Sequence, residues 1–120
     1  MEVIEIIGKV LFSLLFIGSG INHFKNTSAM AGYARSKGLK FAELNVYLSG
    51  VLLVLAPVAL IFGVFETASL LSLAIFLLLT SFIFHAYWKE TDPMAKMNEQ
   101  IAFNKNVSLV GAILIIISLL

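Results

Sequence analysis

Between Leu44 and Phe65 the chain carries no charged residue, and after Glu66 a second run, Thr67–Tyr87, carries none either. A helix rises about 1.5 Å per residue, and about 20 apolar residues cross the hydrocarbon of a bilayer. Two runs of that length, separated by a short turn at Gly63–Glu66, predict two antiparallel transmembrane helices. A soluble surface helix would need a charged or polar face that neither run has.

The start of the chain extends the pattern. Val3–Phe24 is apolar apart from Glu5, Lys9 and its polar last turn. Both charges lie near its beginning, where long side chains reach back to the headgroups. Glu2 and Glu5 stand where a signal peptide carries net positive charge, and no small-residue cleavage site follows, so the run reads as a retained helix. A last run, Val107–Leu120, is too short alone at roughly 14 residues. It becomes long enough if the helix starts near Asn98. Spans of about 3–24, 44–65, 67–88 and 98–120 make an all-α, integral membrane four-helix bundle, one domain over residues 1–120. Composition agrees: 12% of the residues are charged, about half the share that keeps a soluble domain wet. Cysteine is absent, which excludes disulfides, thiolate metal sites and cysteine nucleophiles.

Between the first two spans, Asn26, Thr27 and Ser28 are helix caps and Gly38 is a stop. Met30, Tyr33 and Ala34 recur at helical spacing between them. This predicts a short amphipathic helix in the first loop, on the membrane surface, with Arg35, Lys37 and Lys40 toward the headgroups. The segment Lys89–Gln100 is polar, with a turn at Asp92-Pro93. Basic residues concentrate in segments 25–43 and 89–106, so the positive-inside rule places these in the cytoplasm and both termini outside. Lys9 runs against that assignment.

In lipid, helices associate through small and polar residues. Such stripes are Gly8, Gly18 and Asn22 in the first span, and Asn45, Ser49, Ala56, Ala59 and Gly63 in the second. The third has Thr67, Ala74, Ser81 and His85, continuing to Trp88. The fourth has Gln100, Asn104, Ser108, Gly111 and Ser118. Each reads first as a packing face. Pro57, in the middle of the second span, is a kink that neighbouring helices tolerate. The larger polar side chains gather at one end: Asn22 and His23, Glu43 and Asn45, His85 and Trp88, then Asn98 to Asn106.

Taken together, these segments resemble the DoxX family of small bacterial and archaeal membrane proteins. The resemblance rests on F-I-G-S-G-I-N-H-F at Phe16–Phe24, Y-A-R-S-K-G-L at Tyr33–Leu39, and the apolar hairpin with Gly50 and Gly63. It continues in F-I-F-H-A-Y-W at Phe82–Trp88 and F-N-K-N-V-S-L-V-G at Phe103–Gly111. These cover nearly the whole chain in order. At His23 the family often has lysine, which here comes two positions later as Lys25.

The resemblance implies a four-helix fold in a prokaryotic cell membrane and a redox-associated subunit, since the family takes its name from a subunit associated with thiosulfate:quinone oxidoreductase. It names no catalytic residue and implies no catalytic power for the chain alone. The candidates for ligand binding or proton transfer are Asn22, His23, Tyr33, Asn45, His85, Trp88, Asn104, Lys105 and Asn106. His85 is either an interfacial histidine beside a belt tryptophan or a proton-transfer group at a quinone. His23 and His85 are either unrelated, which is the expectation, or paired at a haem, or ligands of a metal with Glu43 or Glu99 added; no metal site is expected. Lys105 is either a snorkelling lysine or an anchor for an anionic ligand. The expected partners are the lipid bilayer, a soluble or membrane oxidoreductase, and a further copy of the chain. No nucleic-acid surface and no soluble catalytic motif is present. A small-molecule or lipid carrier and a non-catalytic membrane scaffold are the alternatives.

Overall fold

The computed structural model describes residues 2–120. Five α-helices follow one another: α1 (Val3–Lys25), α2 (Thr27–Ser36), α3 (Ala42–Ile61), α4 (Glu66–Phe84) and α5 (Pro93–Ser118). A single 3-10 turn, Tyr87–Lys89, precedes α5, and no strand occurs among the described residues. Four helices are long and apolar enough to cross a membrane: α1, α3, α5, and α4 taken with the 3-10 turn as far as Lys89. The all-α class with four membrane-crossing helices and a short helix in the first loop is the one the sequence predicts.

The chain divides into two units, one ending at Leu73 and one covering Ala74–Leu120. In the first, α1 packs along α3. Buried positions step by three and four on both helices: Ser13, Phe16, Gly20 and His23 on α1, and Val46, Gly50, Leu53, Pro57 and Leu60 on α3. This 3.5-residue repeat keeps two helices in contact over several turns. The backbones come closest at Gly20 and Gly50. A Cβ on Gly20 would lie 2.7 Å from Val54 Cγ2 and 3.0 Å from the Gly50 carbonyl oxygen. Lipid gives helices no hydrophobic reason to associate, so such close packing supplies the attraction. Gly8 and Gly18, expected on this face, have nothing within 4 Å of an added Cβ. They fall outside the 13-16-20-23 register, and Gly20 holds the place assigned to them.

Helix α2 lays buried Ala31 and Ala34 inward and packs against α3. α2 and α3 end in the same device. In α2, Gly38 N–H donates to the Arg35 carbonyl and Leu39 N–H to that of Ala34. In α3, Gly63 N–H donates to Leu60 and Val64 N–H to Ala59. Both are Schellman caps, which need a left-handed residue, and Gly38 and Gly63 have φ of +85° and +71°. The second span therefore stops at Ile61 rather than Phe65. Ser13 Oγ donates to the Pro57 carbonyl at 3.5 Å, on the side of α3 that α1 covers.

In the second unit α5 begins five residues earlier than expected. The Asp92 carboxylate accepts from Ala95 N–H at 2.9 Å, and Pro93 takes the first helical position. That is an N-cap followed by proline at N1, so Asp92-Pro93 starts a helix rather than a loop turn. Residues 93–97, expected in the loop before the fourth span, are helical. The stripe expected to face inward, Gln100, Asn104, Ser108, Gly111 and Ser118, is exposed. The inward side of α5 carries Asn106, Val110 and Ile113, with half-buried Glu99 and Phe103 above them. Ring packing and the contact of Glu99 with His85 set the rotation of α5, and its small residues do not.

Candidate functional site

Helix α4 makes its last helical bond from His85 N–H to the Ser81 carbonyl, at 3.2 Å. Ala86 then turns to φ −75°, ψ 74°, and Tyr87 N–H donates to the His85 carbonyl at 2.8 Å. This is an inverse γ-turn. The 3-10 turn that follows closes with Lys89 N–H on the Ala86 carbonyl. His85 and Trp88 thus stand just beyond the helix that the sequence extends to residue 88. The break frees His85 from helical geometry and points the chain toward α5.

His85 Nδ1 lies 2.8 Å from Glu99 Oε2. The two side chains are 29% and 24% exposed, so the pair is neither sealed nor fully wet. Facing a carboxylate acceptor, Nδ1 carries the proton. The neutral ring then holds its lone pair on Nε2. The arrangement fixes one ring nitrogen and leaves the other for proton exchange.

Four aromatic rings pack beside this pair in sequence. Phe103, one helical turn beyond Glu99, meets Phe82 at 5.4 Å, Tyr87 at 5.5 Å and Trp88 at 5.7 Å between centroids, each edge to face. Tyr87 and Trp88 meet at 5.2 Å, and Phe82 and Trp88 at 6.0 Å. Such contacts are each worth about 0.5–1.5 kcal/mol beyond burial. They fix the 3-10 turn onto α5, while Phe82 and Trp88 keep about half their surface exposed.

The remaining candidates take other places. His23 is buried and its Nδ1 meets the Ser19 carbonyl at 2.7 Å, one turn back in α1. Asn22 hydrogen-bonds Asn26 and reaches Met30 Sδ. Tyr33 is half exposed beneath the Lys37 ammonium, 5.6 Å from the ring centre. Asn45 donates to the Lys40 and Phe41 carbonyls and so tightens the start of α3. On α5, Asn104 and Lys105 are exposed and Asn106 is buried. Of the nine candidates, the second unit joins His85 and Trp88 in one constellation. Glu99, considered beside His85 only as a further metal ligand, completes it with Phe82, Tyr87 and Phe103, which no sequence spacing singled out.

A second charged group lies in the first unit. Lys9 Nζ is 3.1 Å from Glu66 Oε1 and 3.3 Å from Glu5 Oε1, and its side chain is only 11% exposed. Arg35 pairs with Glu43 at the surface. Among the described residues, no three His, Asp or Glu side chains stand together as a metal site would require.

The family model for DoxX matches residues 5–86. The chain belongs to the DoxX family. No curated protein and no solved structure matches it. The four spans and the family make this DoxX protein an integral, multi-pass membrane protein. The matched segment holds α1 to α4 and ends one residue after His85, so Trp88, Glu99 and Phe103 lie beyond it.

Proposed function

We propose that this DoxX protein is a redox-associated membrane subunit that receives a quinone at the His85–Glu99 pair. The supporting observation is a single one: an imidazole tethered to a carboxylate at 2.8 Å, beside a four-ring cluster with two half-exposed rings. A quinone head group is flat and apolar with two carbonyl oxygens, and this donor set fits it. Ring faces suit its plane, and a histidine suits its oxygen. When bound, a quinone supplies two-electron, two-proton chemistry.

The residues of the chain do the rest. His85 Nε2 gives or takes one proton. Glu99 holds the ring in one tautomer and balances the charge of the imidazolium. Phe82 and Trp88 offer an apolar edge toward lipid, held in place by their packing on Phe103. We place the electron donor on a partner oxidoreductase. The basic segments 25–43 and 89–106 face the cytoplasm in this reading. Glu5 and Glu66 neutralise Lys9, so the opposite face carries no unbalanced lysine.

Purification from native membranes in mild detergent, followed by solvent extraction and quinone assay, tests the proposal. The wild-type chain retains quinone, and His85→Ala, folded to the same extent, loses it. Equal retention by both would overturn the reading. A carrier would need polar groups along its axis. The buried hydroxyls of Ser13 and Ser81 instead engage the Pro57 and Leu77 carbonyls, which disfavours that alternative.

A further inference from the structure

One exposed stripe of α5, flanked by exposed Val107 and Leu114, has its polarity reversed with respect to a bilayer. About 20 residues cross the hydrocarbon, and counted back from Ser118 they end at Glu99. Met94 and Met97 then stand outside the hydrocarbon and Ile101 at its edge, all three at least half exposed. Asn104 lies about 7 Å inside, followed on the same face by Ser108, Gly111 and Ser118, all exposed. The wet end of the stripe is apolar, and much of its lipid end is polar or small. The other spans show what a lipid-facing surface looks like here. The exposed face of α3 is Leu44, Leu48, Val51 and Leu55, and that of α4 is Leu71, Ile75, Leu78 and Phe82.

The stripe has strict spacing. From Met94 through Ile115 to Ser118 the steps alternate between three and four, the a/d seam of a heptad repeat. The buried residues Asn106 and Ile113 fall on the opposite side of the helix. In the wet segment the exposed residues flanking the seam are Asn98 and Gln100, so the apolar residues are segregated into the seam itself.

We propose that α5 pairs in parallel with α5 of a second copy of this chain, along the seam from Met94 to Ser118. Copies inserted with one orientation can meet only with their helices parallel, about an axis normal to the bilayer. A two-fold contact then brings each seam residue toward its own counterpart. Asn104 suits that meeting, because one amide carries both donors and an acceptor. A buried amide at a seam position also fixes its register. Gly111 allows close backbone approach. Lys105 flanks the seam where the facing residue is Gln100, so no cation opposes a cation. The pairing is independent of the quinone reading.

The test uses the full chain in lipid nanodiscs or mild detergent. Wild-type protein has twice the protomer mass by light scattering. Because the chain has no cysteine, single substitutions Met97→Cys, Asn104→Cys, Ser108→Cys and Gly111→Cys report the seam by oxidative cross-linking, with Leu55→Cys on α3 as control. Cross-linking that follows the three-four spacing and is at least about tenfold faster than at Leu55→Cys supports the pairing. Gly111→Leu adds bulk where the protomer has nothing within 4 Å. It halves the mass while circular dichroism stays unchanged. A monomeric wild type, cross-linking equal at all positions, or a seam protected only by a different co-purified protein would overturn the proposal.

Discussion

Gly50 sits so close to His23 that a Cβ at that position would be 2.9 Å from the His23 Cβ and 3.1 Å from the Phe24 ring. The His23 Cβ is fixed to the backbone and cannot swing aside. Gly50→Ala is expected to lower stability by about 1–3 kcal/mol through overpacking. Gly18→Ala, with open space around it, is neutral or stabilising by up to about 1 kcal/mol, as for alanine in any helix interior. Thermal unfolding in detergent separates the two, and equal effects would contradict the α1–α3 crossing.

Gly63→Ala places a side chain at φ +71°. The left-handed conformation costs an L-residue roughly 1–2 kcal/mol, so the variant should unfold earlier by that amount. Gly8→Ala, helical and unobstructed, serves as the opposite case. A Gly63→Ala chain as stable as wild type would mean that α3 does not end in the cap described.

Lys9 and Glu66 bring α1 and the first turn of α4 together through an ion pair that is largely screened from solvent. Lys9→Met leaves two carboxylates without their shared cation, and Glu66→Gln leaves Lys9 with Glu5. Both singles should destabilise, and the double variant should lose less than their sum. A coupling of about 0.5–3 kcal/mol is expected for groups in direct contact. Strict additivity in a double-mutant cycle would show the pair to be energetically idle.

The spans were readable because runs such as Leu44–Phe65 leave a chain no other use for so many uncharged residues. α2 was readable from Gly38, whose left-handed turn ends it, whereas Asn26 and Thr27 do not cap it as expected and bond back to Asn22 and the His23 carbonyl in α1. The faces of the helices were harder. Gly18 and Gly20 sit two residues apart in one glycine-rich run, and only the position of α3 decides which is buried. On α5 the small residues looked like an inner face, yet Glu99 and Phe103 turn the helix the other way. The His85–Glu99 pair spans 14 residues and a reversal of the chain. No periodicity within one helix encodes such a contact.

Trp88 is the single tryptophan and belongs to the ring cluster next to His85 in the chain. Its emission therefore reports directly on that site. Titrating the purified protein with a short-chain quinone should quench Trp88 saturably. His85→Ala and Glu99→Gln should each weaken the apparent affinity by at least tenfold while leaving the unliganded spectrum in place. Quenching that is linear and unsaturable in the wild type, or identical in both variants, would contradict a quinone site at His85 and Glu99.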